Sequence, residues 1–274
     1  MTIRKPIVTG QFYPDNKGEL IDEVRKYLGK QGKEDIKACI VPHAGYIYSG
    51  KLTGEVLARI KEKKTFIILG VNHSGLGSRI GFSFQDFSTP LGIVKNNNQL
   101  AKEILTKLKL LGYADVNEQA HSQEHSIEVI LPFLQISHKQ FDIVPIILKD
   151  MTDVACGRVA YILSKFLNDD TCVIVSSDFT HYGFSYGFMP FTDNVKENLY
   201  ELDKGIIDSI LKLDTKSVYD KASKSTVCGL YGVTIATELA KILKWKAKLI
   251  DYYTSGDITG DYSNVVGYAG IIFL

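Results

Sequence analysis

The sequence of 274 residues has few cysteines, and none of them are close together. Cys39, Cys156, Cys172 and Cys228 are spread along the chain and form no CxxC pair. A disulfide framework or a zinc ribbon would need paired or clustered cysteines, so the spacing excludes both. We therefore expect four free thiols, as in a chain that stays in the cytoplasm.

An excess of charge of either sign is also missing, with 32 basic and 31 acidic residues. The balance argues against a nucleic-acid-binding protein and against a disordered acidic chain. No apolar run follows the basic residues of the start MTIRKP, and no stretch approaches the ~18 apolar residues that span a bilayer. We expect a cytoplasmic protein that binds neither nucleic acid nor membrane.

Two common nucleotide-binding motifs are absent. Gly70, Gly75 and Gly77 do not have the GxGxxG spacing of a dinucleotide-binding fingerprint. The sequence has no P-loop with GKS or GKT. The chemistry must therefore come from other residues.

Short β-branched runs alternate with amphipathic stretches along the whole chain. This alternation predicts an α/β fold: a layered, largely parallel mixed sheet with helices on both faces. No linker rich in Pro, Gly or Ser interrupts residues 1–274, which favours one domain. The predicted strands are 38–41, 65–71, 79–84, 142–148, 171–176, 247–253 and 265–273, and the predicted helices are 49–61, 98–111, 126–136, 153–167, 193–213, a short one from 214, and 229–243.

Polar residues follow three of the predicted strands at their ends. His43 follows Val41-Pro42, His73 follows Val71-Asn72, and Asp178 and His181 follow the strand 171–176. Ligands of open α/β sheets bind beyond the carboxyl ends of the strands. If these strands are parallel neighbours, we expect the four side chains to converge in one pocket.

Cys228 differs from the other cysteines in its context. It lies in Thr226-Val227-Cys228-Gly229, just before a predicted helix, whereas the other three lie in apolar strand or helix contexts. The positive end of a helix dipole lowers the pKa of a thiol and favours thiolate, a nucleophile and soft metal ligand. We expect a functional role for Cys228 and structural roles for the rest.

The segment HSQEH, residues 121–125, matches the inverted zinc-peptidase pattern H-x-x-E-H. Its helix is predicted to begin only near Ser126, so the two histidines need not share a helix face. We interpret His121 as a solvated loop residue and His125 as an acid-base or supporting group. His138 is predicted to lie at the surface.

Six motifs in order now resemble those of one family: TGQFYP, VPHAGYIYSG, LGVNHSG, EHSIEVILPFLQ, SSDFTHYG and VCG. Together they look like the Memo family, which includes the mediator of ErbB2-driven cell motility and the AmmeMemoRadiSam system protein B. The resemblance runs from about residue 5 to the end. It implies a fold similar to class III extradiol, LigB-type dioxygenases, which are non-haem iron enzymes.

The resemblance also implies a metal site at His43, His73 and Cys228, lined by Asp178 and His181. Iron (Fe²⁺) or copper is the expected ion, ahead of zinc. A partnership with a radical SAM protein and an AMMECR-like protein is implied as well. The dioxygenases hold Fe(II) with two histidines and a carboxylate, so a cysteine in the carboxylate's place makes the site softer.

Three functions remain open at this point. The first is a metal-dependent oxidoreductase in which His125, Asp178 and His181 act on a small molecule or peptide beside the metal. The second is a binding module without turnover, which takes a phosphopeptide or a small acidic ligand and uses Tyr46, Tyr48, Tyr182 and Tyr186. The third is a zinc hydrolase with Asp178 or Glu124 as general base. The first is the favoured hypothesis.

Overall fold

The computed structural model describes residues 2–29 and 33–274. Within these residues the chain forms one mixed sheet flanked by helices. The strands are β1 (Ile3–Arg4), β2 (Ala38–Val41), β3 (Thr65–Val71), β4 (Ile80–Phe82), β5 (Asp86–Thr89), β6 (Gly92–Asn96), β7 (Ala114–Val116), β8 (Asp142–Leu148), β9 (Thr171–Ser176), β10 (His181–Gly183), β11 (Ala247–Thr254) and β12 (Asn264–Phe273). The α-helices are α1 (Lys17–Leu28), α2 (Tyr46–Ala58), α3 (Asn98–Lys109), α4 (Glu118–Ser122), α5 (Leu131–Ser137), α6 (Asp153–Leu163), α7 (Val195–Leu211), α8 (Thr215–Ala222), α9 (Leu230–Leu243) and α10 (Ser255–Thr259).

The centre of the sheet is parallel. Strands β6, β8, β3, β9 and β2 lie side by side in that order, and each pairs in parallel with the next. β12 pairs with β2 in the antiparallel direction, and it also pairs antiparallel with β10 and β11. Parallel strands need crossover connections, and helices supply them here.

Both faces of this sheet are apolar and covered. In β2, Ala38 and Ile40 belong to the core on one face, while Cys39 and Val41 belong to the core on the other. Side chains alternate between the faces of a strand, so a strand buried on both sides is apolar throughout. Helices α6 and α9 cover the first face, and α1 and α2 cover the second. The predicted α/β architecture is confirmed.

The observed element boundaries differ from the predicted ones mainly at the ends of helices. The strands predicted over 142–148 and 171–176 match β8 and β9. Helix α2 begins at Tyr46 rather than Ser49, with Gly45 before it. The helix expected over 126–136 is a 3₁₀ turn, Glu128–Ile130, followed by α5, because Pro132 lies in the first turn of α5, where its missing N–H is not needed.

The first strand is tied to a distant part of the chain. Arg4 of β1 is 2% exposed and donates to the Glu128 carboxylate and to the carbonyls of His121 and Glu124. Glu128 also accepts from the backbone of residues 7 and 8 and from the Tyr13 hydroxyl. A buried ion pair needs such hydrogen bonds to offset desolvation. In the part of the chain that the structure describes, no helix is long and apolar enough to cross a membrane.

Candidate metal centre

The polar residues predicted to converge do lie together. β2, β9 and β3 are parallel neighbours, so their carboxyl ends share one edge of the sheet. The loops after them place His43, His73, Asp178 and His181 around one open pocket of about 530 Å³. Cys228 reaches the same place from the turn before α9.

His43, His73 and Cys228 form a compact group of three donors. Their candidate ligand atoms all lie within 4.8 Å of one another, and His43 Nε2 is 3.5 Å from Cys228 Sγ. Bonds of about 2.0–2.3 Å in a tetrahedral arrangement would separate a nitrogen and a sulfur ligand by ~3.5 Å. The three residues therefore fit a single metal ion without rearrangement of this pair.

The tautomer of His43 follows from its hydrogen bonds. The Ser176 hydroxyl donates to the Ser126 carbonyl at 2.6 Å, which uses its only hydrogen. The same hydroxyl oxygen lies 2.8 Å from His43 Nδ1 and must therefore accept a hydrogen bond from it, so Nδ1 carries the proton. Nε2 keeps its lone pair and faces Cys228. Burial lowers the pKa of His43 to about 4, which keeps the imidazole neutral, as metal binding requires.

Glu124 sets the tautomer of His73 in the same way. Its carboxylate lies 3.0 Å from His73 Nδ1 and also accepts from the backbone N–H of His73, His125 and Ser126. Burial acts to raise the pKa of Glu124, but the hydrogen bonds from His73 and the backbone outweigh it and hold the pKa at about 2. An ionised carboxylate at Nδ1 leaves Nε2 free as the ligand atom.

A second group of donors, His73, Glu124 and His125, has a similar spacing. There, the Glu124 oxygens are already engaged by three backbone N–H groups and by His73. Glu124 orients His73 rather than binding an ion. For the same reason it is poorly placed to act as the general base that a zinc hydrolase would need.

Cys228 is held by the loop after β9. The Asp178 N–H points at its Sγ from 3.1 Å, and Gly229 N–H donates to the Ser177 hydroxyl at 3.0 Å. A Cβ on Gly229 would lie 2.3 Å from that of Ser177, so only glycine allows this approach. The expected lowering of the thiol pKa is wrong for the protein without metal: burial, with Asp178 nearby, raises the pKa of Cys228.

His181 and Asp178 face the open side of the pocket. His181 Nδ1 lies 3.0 Å from the Phe179 carbonyl and 3.1 Å from the Thr226 carbonyl, and both can only accept. Nδ1 is therefore protonated, and Nε2 points toward Asp178 Oδ2 at 4.0 Å. The other Asp178 oxygen accepts from the His43 N–H at 2.9 Å. Both residues line the pocket.

His125 lines the pocket as part of a group of rings. It stacks on His73, with centroids 5.0 Å apart and an interplanar angle of 12°, and meets Phe12 edge-on. Burial lowers the pKa of His125, so a neutral ring is favoured. The helix expected to begin near Ser126, next to this residue, starts only at Glu128, as a 3₁₀ turn.

The two histidines predicted to be solvent-exposed are buried. His121 is 1% exposed, lies in α4, and its Nε2 is 3.0 Å from the Gly81 carbonyl. Burial lowers the pKa of His121 to about 4. His138 is 4% exposed and packs edge-on against Phe66. Both predictions were wrong because the covering side chains come from distant parts of the sequence.

Aromatic side chains form the outer wall of the pocket. Tyr48 and Tyr186 line it, whereas Tyr46 and Tyr182 are core residues that are 1% and 2% exposed. None of the lining residues is a lysine or an arginine. A phosphate group would therefore find neither a lysine nor an arginine in this pocket.

Sequence reasoning missed Ser176, Thr226 and Asp203, and it gave Glu124 another role, that of a general base. Ser176, Glu124 and Thr226 act on the imidazoles, and Asp203 of α7 lies fully buried behind Thr180. Asp203 accepts from the Thr180 N–H and hydroxyl and from the Tyr252 hydroxyl at 2.7 Å. Burial raises its pKa to about 6 despite these hydrogen bonds. The run Ser176-Ser177 at the end of an apolar strand was the available signal for Ser176.

Fold and pocket together define an α/β protein with a histidine- and cysteine-lined site at the carboxyl edge of its sheet. The family model described as Memo-like protein matches residues 4–272. The chain is 39% identical to a MEMO1 family protein of Aquifex aeolicus, with 100% of both chains covered. It is 40% identical to one of Pyrococcus abyssi, over 98% of this chain and 99% of the other, and 37% identical to one of Archaeoglobus fulgidus, over 99% of both. The chain belongs to the Memo family.

Proposed function

We propose that the chain binds one iron or copper ion through His43, His73 and Cys228 and uses it for redox chemistry on a molecule held in the same pocket. The observation that carries this proposal is the shared orientation of the two imidazoles. Ser176 and Glu124 each occupy an Nδ1, so that both Nε2 lone pairs are free beside Cys228 Sγ. Two imidazoles and one thiolate form a donor set suited to copper or redox-active iron.

When bound, such an ion supplies one-electron chemistry and a site for a substrate oxygen or nitrogen. The chain's own residues supply the rest. Asp178 holds the backbone of His43 with one oxygen and has the other directed toward His181. His181, with Nδ1 fixed, can accept or give a proton at Nε2. Phe12 and His125 form one wall of the pocket beside the donors.

The alternative of a phosphopeptide-binding module is less well supported. Phosphate recognition uses arginine or lysine side chains or helix N-termini. The pocket lining offers two carboxylates, Asp178 and Asp261, and no lysine or arginine. An uncharged molecule suits this lining better than a phosphorylated one.

Metal binding can be tested by cobalt substitution in the absence of air. Chain purified from metal-depleted medium is titrated with Co²⁺ while near-ultraviolet absorption is recorded. We expect one equivalent to bind and a charge-transfer band from sulfur to cobalt. Cys228→Ala should abolish the band, and His43→Ala should weaken binding by at least about 100-fold.

Cys156→Ala provides the matched control, since Cys156 is a buried free thiol in α6 outside the pocket. That variant should bind Co²⁺ and absorb as the unmodified chain does. If Cys228→Ala kept the band, the ligand assignment would be wrong. Metal analysis of chain purified anaerobically from cells grown with iron and copper then identifies the native ion.

A further inference from the structure

The outward side of α6 carries large apolar side chains exposed to solvent. Val154 and Tyr161 of α6 are 61% and 58% exposed, and Leu110, at the end of α3, is 82% exposed. With Ile162 and Phe166 they line a groove of about 700 Å³ between α3 and α6. Contiguous apolar surface of this kind marks an interaction site more often than scattered apolar residues do.

The exposed side chains of α6 follow helical spacing. Val154, Gly157 or Arg158, Tyr161 and Lys165 recur every three or four positions and share one side of the helix. The side that faces the core is a separate set: Cys156, Val159, Ala160 and Leu163. The helix thus has a second apolar side that the rest of the described chain leaves uncovered.

The groove is edged by cations alone. Lys107, Arg158 and Lys165 line it, and no aspartate or glutamate does. Among the residues that the structure describes, none of the three forms an ion pair; Lys165 lies 4.5 Å from the centre of the Tyr161 ring instead. A two-fold contact between copies would set these like charges against one another, which disfavours a second copy as the occupant.

Gly157 lies in the middle of this exposed side. A Cβ added there would meet nothing within 4 Å, so the fold itself does not require glycine at this position. Glycine weakens a helix interior relative to alanine. It would be useful if another backbone packed closely against α6 at this point.

We propose that the groove between α3 and α6 binds an acidic amphipathic helix of a partner protein. The apolar side of that helix would lie on Val154, Tyr161 and Leu110, and its carboxylates would meet Lys107, Arg158 and Lys165. A concave groove fits a helix better than it fits a flat lipid surface. The groove shares no lining residue with the metal pocket, so this proposal does not depend on the metal chemistry.

The test uses two synthetic helical peptides and the full chain. Both carry leucines at positions i, i+3, i+7 and i+10; one has glutamates on the flanking positions and the other lysines. We expect the glutamate peptide to bind at least about tenfold more tightly by fluorescence anisotropy, and more weakly as salt rises. Amide shift changes should map to α6 and the end of α3.

Tyr161→Ser and Gly157→Gln should each weaken binding of the glutamate peptide by about tenfold, with circular dichroism spectra unchanged. Ile258→Ser is the control, because Ile258 is also exposed, at 47%, but lies in α10. Equal binding of the two peptides, or shift changes outside the groove, would overturn the proposal. Two other results would also overturn it. One is dimerisation of the chain that Tyr161→Ser abolishes. The other is binding of the chain to phosphatidylglycerol vesicles that Tyr161→Ser abolishes, together with no binding of either peptide.

Discussion

At the scale of single residues, the site depends on side chains that do not touch the proposed ion. His43 and His73 would each be free to present either nitrogen if their Nδ1 atoms had no partner. Ser176 and Glu124 remove that freedom, one by accepting a hydrogen bond and the other by its charge. Such supporting hydrogen bonds orient metal ligands and raise their basicity.

Ser176→Ala should therefore weaken metal binding although Ser176 is not a ligand. Loss of the hydroxyl frees His43 Nδ1, and we expect the affinity for Co²⁺ to fall about 10–100-fold, measured by competition with a chelator. Ser209→Ala is the control, since Ser209 is also buried but bonds Gly205 and Lys221 instead of a histidine. Equal affinities of the two variants would contradict the tautomer assignment.

Asp203 should make stability depend on pH in an unusual direction. Burial raises its pKa to about 6, above the ~3.9 of an unfolded chain, so folding is favoured by the protonated form. This contribution is complete below pH ~4 and is lost as the pH rises through about 6. The stability of the unmodified chain relative to Asp203→Asn should fall by up to about 3 kcal/mol between pH 4 and 7.

Urea unfolding at pH 4, 5, 6 and 7 measures this difference. Asp257→Asn serves as the comparison: burial acts to raise the pKa of Asp257, but hydrogen bonds from Lys196, Tyr200 and Tyr262 outweigh it and lower the pKa. The effect of Asp257→Asn on the free energy of unfolding should change little above pH 4, because the contribution of Asp257 to stability is lost only at more acidic pH. A difference for Asp203→Asn that is constant with pH would refute the expectation.

At the scale of elements, helix α1 crosses α2 at two glycines. A Cβ on Gly54 would lie 2.6 Å from the Tyr27 carbonyl oxygen and 2.7 Å from its carbon, and Gly50 faces the Tyr27 ring. Backbone atoms of α1 cannot give way as a flexible side-chain tip can. The close approach of these two helices therefore depends on the missing side chains.

Gly54→Ala and Gly157→Ala should change stability in opposite directions. Both replace a glycine inside a helix, and alanine favours a helix by ~1 kcal/mol. In α6 nothing opposes that gain, whereas in α2 the contact with Tyr27 outweighs it and should destabilise by about 1–3 kcal/mol. Urea unfolding of both variants checks this; a shared sign would show that α1 shifts at little cost.

Sequence patterns predicted elements best where an apolar run is continuous and has polar residues at both ends. β8 and β9 were predicted to the residue because apolar runs bounded by polar residues define a buried strand. The meeting of His43, His73, Asp178 and His181 was predictable, since it follows from strand ends in a parallel sheet. Their roles as ligands or proton carriers stay predictions.

The features that were not predicted depend on contacts between residues far apart in the sequence, which a local sequence pattern does not contain. His121 and His138 were predicted to be solvent-exposed, but Gly81 and Phe66 cover them. The pKa of Cys228 was predicted from a helix dipole alone, whereas its burial among loops from three strands decides the direction. Burial is a property of the whole fold, so it was the least predictable quantity.

At the scale of the whole molecule, β1 is linked to the loop that orients His73. Arg4 donates to the carbonyls of His121 and Glu124 and pairs with Glu128, although these residues are far apart in sequence. The Glu124 carboxylate lies on the same loop and bonds His73. The position of a candidate ligand therefore depends in part on the start of the chain.

Arg4→Met should leave the Glu128 carboxylate buried without its cation. Removal of one partner of a buried pair destabilises by about 3–5 kcal/mol. Lys64→Met, which breaks an exposed pair with Asp170, should have little effect on stability, because solvent screens such pairs. Urea unfolding of the two variants gives the comparison; similar small effects would mean that Glu128 takes up a proton or water instead.

The place of β12 in the sheet has a consequence for the growing polypeptide. β2 is flanked by β9 and β12, so residues 38–41 leave the ribosome long before 171–176 and 264–273 exist to pair with them. An apolar strand with both edges open is a target for chaperones and for aggregation. The proposed ligands are also far apart in the sequence, from His43 to Cys228. Any ion must then be acquired late, by a nearly finished chain, and cannot guide the early steps of its folding.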